Sequence, residues 1–451
     1  MNRTLADFAR ACGGELGGAD RAYTGVSSDT RTIKAGELFV ALRGPKFNAN
    51  EFVGAAEAAG AAGAAVDTRT DKSLTQILVG DTLEALTVTS AAWRKGFDLP
   101  VVGVAGSNGK TTVKEMVAAI LGRAGLTLAT RGSLNNHIGV PLTLHRLESA
   151  HKFAVIEIGA NHPGEVATLT KLARPTVGLI TNAGAEHLEG FGSIEGAARA
   201  EGELVAELPP GATAVLNADD EFLELWRGMT SARVVTFGLA PVADYTARRM
   251  QTSIGADGFV TRFELWTPQG STQVELQLAG RHNVVNALAA AAAAMSAGAS
   301  LDHIGEGLAT MRPVPGRLQL KSAPSGAWIV DDTYNANPSS MKAGLEVLAA
   351  VDARRWFVMG DMGELGDFAP DSHRDVGKFA REQRIDRLFA TGKHSQLAVE
   401  SFGPGGEWFA DAEALARAVN ADISREVCVL VKGSRSARLE RVVDSLVGKT
   451  V

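Results

Sequence analysis

VVGVAGSNGKTT, residues 101–112, decides how this chain is read. An apolar run of strand type (101–105) meets a glycine-bearing turn, and a helix-forming segment follows from Lys110 to Leu121. A strand that turns in this way into a helix aims several backbone N–H groups at one point, at the positive end of the helix dipole. The stretch ends in the Gly-Lys-Thr of a phosphate-binding loop. The strict spacing G-x-x-x-x-G-K-[ST], however, asks for glycine at 104, where valine stands. Gly103 or Gly106 can relax the turn instead. In a nucleotide site Lys110 would direct its charge at the β- and γ-phosphates and Thr111 would offer a hydroxyl to Mg²⁺. The alternative is an ordinary strand-to-helix turn.

Neighbouring segments favour the first reading. Strands are expected at FAVIEI (153–158), VGLIT (177–181) and ATAVLN (212–217), with helices between them. That pattern predicts a mostly parallel sheet whose ligands gather at the carboxyl ends of its strands. One strand delivers Glu157 there, followed by Asn161, His162 and Glu165; the next delivers Asn182, Glu186 and His187. Each alone reads equally well as a solvated loop residue. Together they give a lysine and threonine, a glutamate and a histidine at three strand ends, and Glu157 and His187 are an oxygen and a nitrogen suited to magnesium.

Outward from this core the chain divides into three blocks, 1–98, 99–312 and 313–451, all of α/β type. The first carries an expected strand at Glu37–Leu42, a helix at Phe52–Gly60, a strand at Ala64–Asp67 and a helix at Leu83–Lys95. Asp98, Leu99 and Pro100 mark its end. The third opens where MRPVPGRLQL (311–320) breaks an alanine-rich helix. It gives strands at 327–332, 354–361, 387–392 and 427–433, a smaller doubly wound domain.

Of the 451 residues, 45% are hydrophobic and 21% charged, and the net charge of −6 leaves no basic footprint for nucleic acid or membrane. ALAAAAAAMSAGAS (287–300) is mostly alanine and reads as a packed helix, and no run suits a signal peptide or a membrane span. Cys12 and Cys428 stand far apart, without metal-ligand spacing, and fit a reducing compartment. The expectation is a cytoplasmic, multidomain monomer.

GSNGKTTVKEM (106–116), EIGANHPGE (157–165) and NAGAEHLEGFG (182–192) together resemble the ATP-dependent Mur ligases of bacterial cell-wall synthesis. DDTYNANPSSM (331–341), GDMGELG (360–366) and VKGSRS (431–436) resemble the branch that adds D-alanyl-D-alanine to UDP-N-acetylmuramoyl-tripeptide. The resemblance spans the chain, from SSDTR (27–31) and GELFVALRG (36–44) through SLNNHIGVP (133–141). The family's loop is G-[TS]-x-G-K-[ST]-[TS], so Val104 is no defect. The resemblance implies an N-terminal UDP-sugar domain, a central ATPase and a C-terminal Rossmann-like domain that brings the amine.

Carried over by motif, Gly106, Ser107, Asn108, Gly109, Lys110, Thr111 and Thr112 would hold the ATP phosphates, and Glu157 and His187 the magnesium. Asn283 in GRHNVVNALAA resembles an adenine contact, against helix capping as the bland alternative. Arg317, Asp332 and Asn335 would meet the nucleotide from across an interdomain cleft, although Arg317 could equally make a surface ion pair. Ser28, Asp29 and Arg31 would line the uridine site, Asn135 and Asn136 the muramoyl peptide, and Asn337, Ser434 and Arg435 the D-alanyl-D-alanine.

The chain departs from the resemblance at one position. Several Mur ligases carbamylate a lysine on the helix after the histidine motif, and that position falls here at Glu201, with no lysine between Lys171 and Lys321. Glu201 would supply a carboxylate to the second magnesium directly or through water; a solvated helix residue beside Arg199 and Glu203 is the alternative.

The implied reaction is ATP-driven peptide-bond formation through an acyl phosphate. Its first step brings two anions together, and unit charges ~4 Å apart repel by about 4 kcal/mol at an effective dielectric near 20. Lys110, the loop amides and magnesium would offset that repulsion. No residue is singled out as base for the amine, and His187 is disfavoured if it binds metal. Competing readings are another Mur ligase or a folylpolyglutamate synthetase-like enzyme, and a phosphate-loop switch that turns over ATP without small substrates. A redox Rossmann enzyme is disfavoured because no G-x-G-x-x-G follows a strand.

Overall fold

The computed structural model describes residues 3–44, 47–185, 188–255 and 258–449. The first sheet has five strands in the order Glu15–Gly17, Gln76–Leu78, Gly63–Val66, Leu38–Val40 and Val26–Ser27. Only the first pair is antiparallel. The helix expected over 52–60 is two pieces, a 3-10 turn Ala49–Phe52 and a helix Val53–Ala58, and the Asn48 side chain caps the turn through the Asn50 amide. Asp81 caps the longer helix Thr82–Arg94 by accepting from the Leu83 and Glu84 amides. At its far end the buried Arg94 donates to the carbonyls of Phe97, Ala173 and Arg174, which fastens this helix to the next unit.

The central sheet has six strands, all parallel: Arg233–Phe237, Thr213–Asn217, Val177–Ile180, Val101–Ala105, Phe153–Glu157 and Thr127–Ala129. Val101–Ala105 lies in the middle. The chain leaves it first to one side and later to the other, so a crevice opens at its carboxyl end between the ends of Phe153–Glu157 and Val177–Ile180. The alanine-rich segment is the helix Arg281–Ser296. Its residues Ala287 to Ala294 are buried in one core with the helix Lys110–Ala124 and the sheet. Small side chains let these helices pack closely. Among the described residues no helix is long and apolar enough to cross a membrane. A second, antiparallel sheet of three strands, Thr246–Gly255, Gly258–Thr267 and Gly270–Leu276, adjoins this core.

The last sheet also has six strands, in the order Gln319–Ser322, Trp328–Asp332, Val427–Lys432, Arg354–Gly360, Arg387–Thr391 and Gly406–Phe409. Only the Gln319–Ser322 edge is antiparallel. The carboxyl ends of Trp328–Asp332 and Val427–Lys432 contribute Asp332 and Lys432 to a cleft shared with the central sheet.

Candidate active site

The loop after Val101–Ala105 needs glycine at two places. Gly106 has φ +123°, and a Cβ there would lie 2.2 Å from Thr181 Oγ1; Gly109 has φ +83°, and a Cβ there would lie 2.6 Å from Asn286 Oδ1. Val104 is buried within the strand, beside Glu157 and Leu179 in register. The glycine of the strict pattern would fall on a strand residue, so the turn is relaxed at 106 and not at 103. The loop is pinned from below. The Ser107 amide donates to Asn182 O (2.9 Å), the Asn108 amide to Asn182 Oδ1 (3.0 Å), and Asn108 O accepts from Thr181 Oγ1 and Asn182 Nδ2. Lys110 Nζ curls back onto the carbonyls of Gly106 (2.5 Å) and Ser107 (3.1 Å).

Glu201 is no solvated helix residue. It is 5% exposed on the helix Ile194–Ala206, and its Oε2 accepts from the Gly106 amide at 2.7 Å. It stands behind the loop and does not line the cleft.

Glu157, 1% exposed, ends its strand under the loop. Its Oε1 accepts from Thr111 Oγ1 (3.2 Å) and Asn135 Nδ2 (2.8 Å), while its buried Oε2 has no hydrogen-bond partner among the described residues. Buried polar atoms are nearly always paired, so an orphaned carboxylate oxygen beside a hydroxyl fits a hard divalent cation. The other expected ligand, His187, and its neighbour Glu186 lie outside the described residues. Among the described residues no group of three or more His, Cys, Asp or Glu converges on one point.

Above the loop lies a cleft of about 1120 Å³ walled by the central and last sheets. Arg317 crosses it: its Nη2 reaches Thr111 Oγ1 (3.3 Å), its guanidinium lies 4.3 Å over the Tyr334 ring, and its buried Nε has no partner among the described residues. It makes no ion pair among the described residues. Asn283 does not cap its helix: Nδ2 donates to Ala279 O, and Oδ1 accepts from Asn286 Nδ2 at the cleft wall. Asp332 pairs with Lys432 at 2.7 Å, and Lys432 also donates to Asn335 O. His282 faces the same wall. Burial pushes its imidazole down to about 4, with Asp332 opposing and Lys432 adding to the shift.

A second cavity of about 640 Å³ adjoins the cleft, and Asn335, Ala336 and Asn337 line both. Ser434, Arg435, Arg438 and Glu364 line the second alone. Its GDMGELG rim is held by His373, whose Nε2 accepts from the Met362 amide at 3.0 Å. Asn135 and Asn136 sit on the cleft's far wall. Ser28, Asp29 and Arg31 line neither cavity; Arg31 grips Asp29 through Nε and Nη2 and holds its carboxyl down to about 2.

The sequence reading left Tyr334, Lys432, His282 and Asn286 without roles. Two of them carried a signal: His282 and Asn286 are four residues apart and flank Asn283, so they share one helix face.

A strand-end phosphate cradle, a buried carboxylate beneath it and a second doubly wound unit closing over both define a nucleotide-dependent enzyme of two sites. Comparison with known proteins narrows this class. Residues 104–294 match the Mur ligase middle domain and residues 316–435 the Mur ligase, glutamate ligase domain. The chain is 44% identical over 448 residues, 98% of each chain, to the UDP-N-acetylmuramoyl-tripeptide–D-alanyl-D-alanine ligase of Escherichia coli. Its fold is similar to a crystal structure of MurF from Acinetobacter baumannii, with TM-score 0.91 and 35% identity, covering 100% of this chain and 99% of that one. It is also similar to MurF ligase from Thermotoga maritima in complex with ADP, with TM-score 0.81 and 26% identity, covering 94% and 97%. The chain belongs to the Mur ligase family.

Proposed function

We propose that the protein is an ATP-dependent ligase that joins D-alanyl-D-alanine to UDP-N-acetylmuramoyl-tripeptide in the making of peptidoglycan precursor. The observation that carries this reading is the wall shared by the two cavities, because a ligase must bring an activated carboxyl and an amine to one point. The relatives' activity and the phosphate cradle support the same conclusion.

In this reading ATP lies in the larger cleft. Lys110 leaves the loop carbonyls to meet its phosphates, with the 106–112 amides around them and the unsatisfied Arg317 Nε opposite. Asn283 faces the adenine, and Asp332 and Asn335 the rest of the nucleotide. Glu157, Thr111 and His187 would hold magnesium, which when bound neutralises phosphate charge. Ser28, Asp29 and Arg31 take the uridine end of the substrate, in the 1–98 domain, and Asn135 and Asn136 its peptide.

An oxygen of the tripeptide's terminal carboxylate attacks the γ-phosphorus, the bond to the ADP oxygen breaks, and an acyl phosphate forms. The D-alanyl-D-alanine amine, having lost its proton, then attacks the acyl carbon. The carbon–oxygen bond to phosphate breaks and phosphate leaves. Asn337, Ser434 and Arg435 hold the dipeptide in the smaller cavity, in the 313–451 domain, where Arg435 suits its carboxylate. Soluble precursors as substrates support a cytoplasmic location, and a monomer suffices for the site.

Phosphate release with each substrate omitted in turn tests this reading. The expected result is release only when ATP, UDP-N-acetylmuramoyl-tripeptide and D-alanyl-D-alanine are all present. Sustained ATP turnover with neither small substrate present would mean a switch or motor instead.

A further inference from the structure

Asn108 occupies the position that the loop pattern G-[TS]-x-G-K leaves open, at the edge of the cleft. Its backbone is fixed from beneath by Asn182 and Thr181. Its amide group crosses to the last unit, where Nδ2 donates to Ser339 Oγ at 3.0 Å and Oδ1 accepts from Asn337 Nδ2 at 2.8 Å. Ser339 Oγ in turn donates to Asn337 Oδ1 at 3.1 Å, which closes a ring of three side chains across the domain boundary.

Both ends of the ring are stiff. Asn337 is the N-cap of the helix Pro338–Ala349: its Oδ1 accepts from the Ser340 amide, and the Ser340 hydroxyl accepts from the Asn337 amide, a reciprocal capping box. Asn337 also lines both cavities. The ring therefore ties the phosphate loop to the wall through which the amine must reach the acyl carbon. A single side chain with both a donor and an acceptor facing the other unit, on a backbone held by three hydrogen bonds, fixes register as well as proximity.

We propose that Asn108, Asn337 and Ser339 act as one positioning unit that registers the amine cavity against the phosphate loop, so that the acyl phosphate is intercepted by D-alanyl-D-alanine before water. The inference rests on the ligase reading above. Two nucleophiles compete for the same acyl carbon, and in both cases its bond to the phosphate oxygen breaks. The amine gives the peptide; water regenerates the carboxylate and wastes one ATP. Registration favours the first by holding the amine in line and favours it again by keeping the cleft shut.

The experiment uses the full-length protein carrying Ser339→Ala, Asn108→Ala, both together, and Ser339→Thr. It measures KM for D-alanyl-D-alanine at saturating ATP and the phosphate released per peptide bond formed. Each alanine variant is expected to raise that KM about fivefold, the size of one partly exposed hydrogen bond, and to release more phosphate than peptide. The double variant should be no worse than Asn108→Ala alone, because that variant already removes both bonds that cross the boundary. Ser339→Thr keeps the hydroxyl and should restore both readings. Unchanged KM and unchanged phosphate-to-peptide ratio in Ser339→Ala would overturn the proposal, as would losses that multiply in the double variant. If Asn108→Ala fails to fold, the two serine variants decide by the same readings. A wild-type protein that never joins the substrates would sink the ligase reading itself; a wild type that joins them while Ser339→Ala behaves identically sinks only the ring.

Discussion

Arg317 and Thr111 are 206 residues apart in sequence and 3.3 Å apart in space, and their contact spans the cleft between two sheets. The Thr111 hydroxyl also donates to Glu157 Oε1, so one side chain meets the strand-end carboxylate below and the crossing arginine above. The Arg317 guanidinium is stacked on Tyr334, with its buried Nε unpaired among the described residues, so its fork is held in one orientation. Arg317→Ala is expected to weaken ATP binding by about tenfold to a hundredfold, the range for a hydrogen bond to a charged group. Arg317→Lys should recover little, since lysine neither stacks nor forks. Calorimetric titration of ATP into each variant checks this. The same contact implies that residues 1–310 alone bind ATP more weakly than the whole chain.

Glu157 offers the second prediction. Its Oε2 has no hydrogen-bond partner among the described residues, while Oε1 keeps Thr111 and Asn135 in place. Glu157→Gln preserves size and leaves an acceptor for those two donors, yet removes the negative charge. The half-saturating magnesium concentration should rise by about tenfold or more while the fold and the melting temperature change little. A magnesium titration of phosphate release that overlays the wild-type curve would show that the orphaned oxygen serves something other than a cation.

Two roles for Glu201 give different outcomes. Its Oε2 supports the Gly106 amide, and an alanine there would leave that buried N–H unsatisfied at a cost of about 1–3 kcal/mol. Glu201→Ala should therefore loosen the loop and lower both stability and ATP affinity. Glu201→Gln can still accept that bond through its carbonyl oxygen. If Glu201 also stands in for a carbamate toward the second magnesium, directly or through water, the glutamine variant should fold normally but need more magnesium. Normal activity and normal magnesium dependence in Glu201→Gln would leave only the support of the loop.

The parts of this molecule that sequence made legible are those where local chemistry dictates geometry. The runs 101–105, 153–157, 177–180 and 427–432 are strands because consecutive apolar, largely β-branched residues suit a sheet covered on both faces. The antiparallel strands between 246 and 276 went unread although Gly258–Thr267 carries a visible signal: Phe259, Thr261, Phe263, Leu265 and Thr267 are buried at alternate positions. Two of those five are threonine, which blurs the apolar alternation. The candidate strand-end residues could be listed from sequence, but Asn108 with Asn337 and Arg317 with Thr111 could not be paired, because local periodicity says nothing about how two sheets dock. Buried charge was equally hidden. Lys114 is wholly buried, held by Thr130 O and Glu115, and an isolated lysine on a helix reads as solvent-facing.

Acid should weaken the fold in a window set by three histidines, His145, His282 and His373; burial lowers the His373 imidazole as well, in the same direction as the other two. His145 is buried against Phe8 and the Thr89 hydroxyl; burial first, and the nearby Arg3 charge second, push its imidazole down to about 3. His282 is pushed to about 4. In the unfolded chain all three return to about 6.5. Above that value neither state binds a proton at these sites, and stability is flat. Below it the unfolded state binds protons that the folded state refuses, so stability falls as pH falls, by up to about 1.4 kcal/mol per pH unit for each histidine. The loss continues to about pH 4 for His282 and about pH 3 for His145. Asp29, held near 2 by Arg31, has the same sign but acts mainly below about pH 4, so the histidines dominate the upper part of the interval, from 6.5 to about 5. Urea unfolding at pH 7, 6 and 5 should show a midpoint that declines at each step, with a shallower decline in His145→Gln. A midpoint constant between pH 7 and 5 would mean that these imidazoles accept protons in the folded protein after all.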